Sequence, residues 1–330
     1  MLNLCTLFAS NYSAKGLAMY WSLERVCKDF HLYIFAFDDA CYDLMTKLNL
    51  KHATIISLKE FEDEELLRVK PTRTPGEYCW TCSSSVIKYC IEHYHLDSCT
   101  GIDADLYFFA DPTCLVEEMG NADVLLTEHR YTPQYDQTPT SGKYCVQFST
   151  FKNTKNGMKV LNWWRNACLE WCYNRYEDGK FGDQLYLDDW MTRFENVHEL
   201  QHLGGGVAPW NMQQYEFYKD GNRVTGRELK TGKEFPLVFF HFHAFLCYRR
   251  KWMREFYAER YVMPESVREL IYKPYLEDYK KAYLMIRKVA PTIDGMASRP
   301  HAIESSWTYL KRLRQRYRSG ENKYFYWLCH

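Results

Sequence analysis

The chain has 330 residues, 46% hydrophobic and 17% aromatic, which suffices to bury one large α/β domain plus an extension and excludes a disordered protein. Its 42 basic and 42 acidic residues cancel, so no global field draws nucleic acid and no such partner is expected. Thirteen cysteines, odd in number and without the spacing of a disulfide framework, read as reduced and mostly buried thiols of a cytosolic protein.

Leu2 to Ala9 is a near-continuous apolar run of strand length, the pattern of a strand buried on both faces. It lacks the basic lead-in of a signal peptide, and no apolar run in the chain reaches the length of a membrane span. The polar loop Ser10-Asn11-Tyr12-Ser13 precedes a helix predicted from about Ala14 to Lys28, with Leu17, Tyr20, Leu23 and Cys27 at helical spacing. His31 to Phe37 is a second buried strand, ending in Asp38-Asp39, and His52 to Ile56 is a third. Ser57-Leu58-Lys59-Glu60 is a capping-box signature that opens an acidic helix. Glu77 to Tyr94 reads as helix and contains Cys79-Trp80-Thr81-Cys82, a lone CxxC with no second pair at zinc spacing.

The strand ending in Gly101-Ile102-Asp103-Ala104-Asp105 comes next, then a helix from Asp111-Pro112 and strands over Ala122 to Thr127 and Tyr144 to Phe151. A Trp-rich helix is predicted from about Thr154 to Tyr176, and a shorter one starts at Gly182-Asp183-Gln184. His198 to Leu203 and Pro236 to His243 are late strands, with the Gly204-Gly205-Gly206 turn between them. Beyond about Lys251 the pattern is helical to the end, broken at Pro264 and Pro274. Alternating β and α units predict a mostly parallel sheet with helices on both faces. The simplest partition is a catalytic-sized domain over residues 1–250 and a helical extension over 251–330.

Asp103 and Asp105 are one residue apart, so in extended chain both project to the same side. Two hard oxygen ligands from so short a segment suit Mg²⁺ or Mn²⁺, ions commonly shared with substrate phosphates. Parallel sheets bind ligands at the carboxyl ends of their strands. Asn11-Tyr12, Asp38-Asp39 and the Asp103/Asp105 pair all fall just past strand ends and therefore converge on one rim.

In their order these motifs resemble those of the glycogenin-type retaining glycosyltransferases of the GT-A fold and of bacterial relatives that build surface polysaccharides. Asn11-Tyr12-Ser13-Ala14-Lys15-Gly16 resembles the family's nucleotide-contacting loop and helix start, and Asp103-Ala104-Asp105 its metal motif. Gly182-Asp183-Gln184 resembles the Gly-Asp-Gln that opens a helix under the donor sugar. His241-Phe242-His243-Ala244 resembles the segment whose histidine completes the metal site. The resemblance spans roughly residues 2–245.

It implies a nucleotide-sugar donor, UDP-linked, and transfer with retention to a glycan, a lipid-linked acceptor or another hydroxyl. Asp103, Asp105 and His241 would hold Mn²⁺ or Mg²⁺, while Asn11, Tyr12, Lys15, Asp38, Asp39, Ala104 and Gln147 would lie along the nucleotide and donor. Asp38 or Asp39 would fit uracil and guanine equally. Asp183 is either a helix cap or the acceptor of hydrogen bonds from donor hydroxyls, with Gln184 on the opposite sugar face. A neutral amide is a poor nucleophile, which favours same-face attack with the leaving phosphate taking the acceptor's proton.

Two departures matter. Ala244 stands where the family has Gly, and the Lys-Pro-Trp that should follow is absent, since Lys251-Trp252 lies at the wrong spacing. The diphosphate therefore lacks one identified cation, for which Arg73, Lys88, Arg249 and Arg250 are candidates. His243 points the same way as His241 in a strand and is either a ligand or its supporting partner. Trp210, after the glycine run, is a candidate to stack on an acceptor sugar, the alternative being a turn that joins two strands. Residues 307–328 combine Lys311-Arg312-Leu313-Arg314-Gln315-Arg316-Tyr317-Arg318 with interleaved aromatics. They suit either the anionic inner face of a membrane or a solvated helix packed on the domain. Two rival functions remain: a sugar nucleotidyltransferase, whose Gly-rich basic loop Ser10 to Gly16 lacks, and a non-catalytic nucleotide-sugar binder. Oligomeric state is left open.

Overall fold

A computed structural model describes residues 1–249, 253–258, 261–297, 299–300, 307, 311, 314 and 324–328. The first half alternates as the apolar runs require: β1 (Leu2–Phe8), α1 (Ser13–Val26), β2 (Phe30–Ala36), α2 (Asp39–Leu48), β3 (Ala53–Ser57) and the short α3 (Leu58–Phe61) and α4 (Glu64–Val69). The Ser57 hydroxyl caps α3 as expected, but Asp63 caps α4 afresh, so the acidic segment folds as two short helices. Thr74 and Glu77 form a full capping box at the start of α5 (Pro75–His93). Then follow β4 (Ser98–Ile102), β5 (Leu106–Phe108), α6 (Thr113–Glu118), β6 (Val124–Glu128), α7 (Thr138–Ser141), β7 (Tyr144–Lys152), α8 (Lys155–Glu170), α9 (Trp190–Arg193) and β8 (Val197–Glu199).

Seven strands form one sheet in the order β3-β2-β1-β4-β7-β6-β8. All its pairs are parallel except those of β7 with β4 and β6. The α/β class and mostly parallel sheet are as the sequence predicts. Both faces are buried, which is why the strands read as unbroken apolar runs. Leu4, Leu32 and Ile34 pack with α1 and α2, while Cys5, Tyr33 and Phe35 pack with Val86 and Ile87 of α5 and Trp164 of α8.

The later part departs from expectation. The Trp-rich helix stops at Glu170, because Trp171 is already extended. Gly182-Asp183-Gln184 opens no full helix: it is a turn followed by a single 3₁₀ turn, Leu185–Leu187. A three-stranded antiparallel sheet that the sequence pattern did not suggest comprises β9 (Tyr215–Asp220), β10 (Arg223–Glu228) and β11 (Glu234–Pro236). Next, β12 (Phe239–His241) pairs antiparallel with β5.

Beyond Lys251 the expected all-helical run is corrected. β13 (Phe245–Arg249) and β14 (Met253–Ala258) form an antiparallel pair across the expected boundary at residue 250, and β16 (Tyr324–Leu328) joins β14 on its other side, with β15 (Arg299–Pro300) beside β13. Backbone pairing across the sheet overrides the local helical pattern. The C-terminal helix is present: after α10 (Glu265–Val267) and a π-helical turn comes α11 (Lys273–Val289). It packs into the same core as α1, with the Tyr275 ring stacked 3.6 Å from that of Phe242. Most of the basic segment 307–328 lies outside the described residues. Among the described residues, no helix is long and apolar enough to cross a membrane.

One polar knot ties α11 down. The Arg25 guanidinium donates to Asp278 at 2.6 Å and to the Tyr107 hydroxyl at 2.7 Å, and that hydroxyl donates to Asp278 at 2.7 Å. Asp278 and Tyr107 are buried, so removing the carboxylate strands the Tyr107 hydroxyl, while half-exposed Arg25 can turn to water. Asp278→Ala should therefore cost about 2 kcal/mol of stability, read as a lower urea midpoint at unchanged slope.

Candidate active site

The site lies where β4 ends. Asp103, Ala104 and Asp105 form the link between β4 and β5, fixed by backbone bonds from Asp103 N–H to Gln147 and from Phe242 N–H to Asp105 at 2.9 Å. Because β12 zips onto β5 with His241 opposite Leu106, the histidine lands beside both acids. Its Nε2 lies 3.2 Å from Asp105 Oδ1 and 3.5 Å from Asp103 Oδ2. On the far side of the ring, Nδ1 is 2.8 Å from Gln147 Oε1. With the amide oxygen accepting, Nδ1 carries a proton, and Nε2 faces the acids: it donates to Asp105 when the imidazole is charged and is free to take a metal when it is neutral.

Asp105 is held from a second direction. Its Oδ2 accepts from the Tyr12 hydroxyl at 3.0 Å and from Lys15 Nζ at 3.2 Å, and Lys15 also donates to the Tyr12 hydroxyl at 2.7 Å. The loop after β1 and the first turn of α1 thus reach Asp105 through Tyr12 and Lys15, while Asn11 is exposed. Burial works against ionisation of Asp105, but the charges of Lys15 and His241 outweigh it and hold the carboxyl well below the usual range. Asp103 opens towards solvent, with 37% of its side chain exposed. Partial burial raises its pKa, with His241 opposing and the charge of Asp105 adding to the rise. Burial disfavours charge on His241, yet Asp105 and Asp103 raise its pKa above the ordinary imidazole value.

The donor set fits a hard or borderline divalent ion. Ligand atoms about 2.1 Å from a common octahedral ion stand about 3 Å apart at adjacent positions, and the His241–Asp105 and His241–Asp103 spacings are close to that. The Cys145 sulfur lies within 4.8 Å of an Asp103 oxygen and a His241 nitrogen, so these three form the tight group of ligand atoms here, with Asp105 joining it through His241. Two carboxylates and an imidazole could hold Mn²⁺ or Mg²⁺, whereas a Cys145 thiolate among the ligands would suit a softer ion.

Asp183 is 3% exposed and accepts a 2.6 Å hydrogen bond from the Ser83 hydroxyl of α5, so it caps no helix. Burial pushes its pKa up to about 7; Ser83 opposes the shift, and the charge of Asp103 adds to it. Gln184 donates to the Ser141 carbonyl at 2.6 Å.

Other predicted residues fall elsewhere. Asp38 spends both oxygens on structure, capping α2 at Cys41 N–H and accepting from Ser10 N–H and Oγ, whereas Asp39 is exposed in the first turn of α2. Ala104 is a buried core residue between the two acids. Gln147 is fully buried and orients His241, a role deeper than the donor contact expected of it. Trp210 is 4% exposed: its indole N–H donates to the His129 carbonyl, and its ring meets those of His241 and His243 nearly edge-on, at 5.3 and 5.4 Å. It is a wall beneath the histidines, with no open face for a sugar. The glycines before it serve close packing, since a Cβ on Gly204 would meet the Pro236 carbonyl at 1.9 Å. His243 is exposed beside that wall.

Of the candidate diphosphate cations, Arg73 donates to the Leu169 carbonyl and lies over Tyr173, Lys88 pairs with Glu92, Arg249 faces Asp294, and Arg250 lies outside the described residues. Among the described residues, Lys15 is the lysine or arginine that reaches Asp105. The sequence reasoning missed Ser83 and Cys145. Cys145 stands two residues before Gln147 on β7, on the same strand face, which was a readable signal.

No protein-family model matches the chain. It is 31% identical to the uncharacterized protein YfnD of Bacillus subtilis (strain 168) over 306 residues, 90% of this chain and 95% of YfnD. It is 33% identical to the uncharacterized protein YfnF of the same organism over 250 residues, 73% of this chain and 80% of YfnF. Among solved structures it is similar to the galactosyltransferase LgtC in complex with donor and acceptor sugar analogs (11% identity, 93% of this chain and 99% of that one, TM-score 0.48). Mouse xyloside xylosyltransferase 1 is similar at 13% identity over 74% of this chain and 98% of that one, TM-score 0.45. Likenesses of this degree leave the chemistry to be read from the side chains.

The raised pKa of Asp183 sets a pH test of stability. An unfolded aspartate titrates near about 3.9, so between there and about 7 the folded state alone holds the proton, and stability falls as pH rises through that window. Asp183→Asn keeps an acceptor for Ser83 and removes the penalty. Its Tm in chelator should exceed the wild type's by roughly 2–4 °C at pH 8, the gap closing towards pH 4. An equal gap at both pH values would contradict the assignment.

Proposed function

The chain belongs to the family of the Bacillus subtilis proteins YfnD and YfnF, and we propose that it is a metal-dependent glycosyltransferase of the GT-A type. It moves a sugar from a nucleotide diphosphate, UDP-linked, to a glycan or other hydroxyl acceptor with retention. The observation that carries this reading is the convergence of Asp103, Asp105 and His241 at the end of β4, with the Gln147 amide fixing the imidazole.

Asp103, Asp105 and His241 would hold Mn²⁺ or Mg²⁺, which, when bound, would stabilise the charge that builds on the diphosphate as the donor's sugar–phosphate bond breaks. Gln147 holds a proton on His241 Nδ1, so that Nε2 is the nitrogen aimed at the acids and the one a metal would take. Asp183, in its ionised form, accepts hydrogen bonds from donor hydroxyls, with Ser83 holding the carboxylate in place. Gln184 lies beside it, tied to Ser141, and presents no group able to form a covalent intermediate. The acceptor proton passes to the leaving phosphate on the same face. Lys15 and Tyr12 lie where the diphosphate would meet the metal ligands.

Hydrolysis or transfer assays with Mn²⁺ and a panel of nucleotide sugars test the reading directly. Turnover of one donor supports it. Tight binding without turnover would make the protein a non-catalytic binder, and pyrophosphate release from a nucleoside triphosphate with a sugar phosphate would make it a nucleotidyltransferase. Asp103→Asn and Asp105→Asn should each abolish transfer and metal-dependent donor binding, whereas Asp183→Asn should depress turnover and largely spare nucleotide affinity. Gln147→Leu removes the partner that orients His241, so Mn²⁺ affinity measured by spin resonance should fall about 10–100-fold.

A further inference from the structure

Lys15 has no ordinary reason to be inside the protein. Its side chain is 5% exposed, it stands in the first turn of α1, and its ammonium lies 4.2 Å from the centre of the Tyr12 ring. A buried ammonium is expensive unless it is paired. Among the described residues, the pairing is with Asp105, and no other lysine or arginine pairs with either acid of the site.

The two oxygens of Asp105 serve different neighbours. Oδ1 faces His241, which is 3.5 Å from Asp103, so this side belongs to the ligand cluster. Oδ2 carries the Tyr12 hydroxyl and the Lys15 ammonium. A divalent ion on the first side and the ammonium on the second would share one carboxylate, and their charges repel across it. The repulsion is largely unscreened, because Asp105 and Lys15 are both buried. A diphosphate supplies the charge that both cations need.

We propose that Lys15 couples the two ligands: its ammonium neutralises Asp105 in the free protein and becomes a counter-ion of the nucleotide diphosphate, so that divalent ion and nucleotide bind as a pair. The proposal rests on the glycosyltransferase reading and deepens it, giving the diphosphate the cation absent after Ala244. Linkage requires the effect to be reciprocal, with Mn²⁺ raising nucleotide affinity by the factor by which nucleotide raises Mn²⁺ affinity. Couplings of this kind run from about 5- to 150-fold.

The test is titration of Mn²⁺ by spin resonance with and without UDP, and of UDP by calorimetry with and without Mn²⁺, on the full chain. The wild type should show each ligand tightening the other about tenfold or more. Lys15→Met keeps the length of the side chain and removes the charge. It should bind Mn²⁺ alone several-fold more tightly than the wild type, bind UDP more weakly in saturating Mn²⁺, and lose most of the coupling. Lys15→Arg keeps the charge and should keep the coupling. Structural damage would weaken Mn²⁺ binding, so the gain in metal affinity separates the proposal from a packing role. Unchanged or weaker Mn²⁺ binding by Lys15→Met in a folded variant, or an unchanged coupling factor, overturns it. An unchanged coupling in Lys15→Met overturns the proposal and leaves the glycosyltransferase reading standing, whereas a wild type that binds the two ligands independently, or binds neither, overturns both.

Discussion

Asp105 is gripped from two sides: His241 on one oxygen, Tyr12 and Lys15 on the other. A carboxylate this buried survives only because opposite charge and donors surround it. The demand reaches through much of the fold. It requires β1 to end where the Tyr12 loop can cross to β4, and it requires β12 to pair with β5 in the register that brings His241 alongside. A slip of one residue in that pairing would turn His241 away and put Phe240 or Phe242 among the acids.

The C-terminal helix is part of the same constraint. Phe242, next to His241, is stacked on Tyr275 of α11, and α11 is fastened to α1 and β5 through Asp278, Arg25 and Tyr107. The helix that carries Lys15 and the strand that follows Asp105 are therefore both braced by residues remote in sequence. Behind the histidine, Gln147 and Trp210 close the space, one through a hydrogen bond and the other through ring contact. The supports of His241 are themselves buried and mutually dependent.

Several elements were legible because their cause is local. Apolar runs such as Leu2 to Phe8 mark strands covered on both faces, and Ser57 announces its helix by bonding the Glu60 N–H. The β9–β11 sheet escaped notice although Asp220-Gly221 is a turn signal and Tyr215, Glu216 and Phe217 alternate in burial. Met253–Ala258 was unreadable as a strand from its own residues, since what makes it one is hydrogen bonding to Phe245–Arg249 and Tyr324–Leu328.

The site divides the same way. The sequence by itself determined the α/β class, the acidic pair at a strand end and the candidate histidine, because periodicity, chain order and side-chain chemistry are local properties. Only the tertiary structure decided that Gln147 orients His241, that Trp210 is a buried wall, that Asp38 is a structural cap and that Lys15 is the cation on Asp105. Those roles depend on distances between residues as far apart in the chain as Lys15 and Asp105, or Gln147 and His241. Such distances exist only once burial has forced each charge and donor to find a partner.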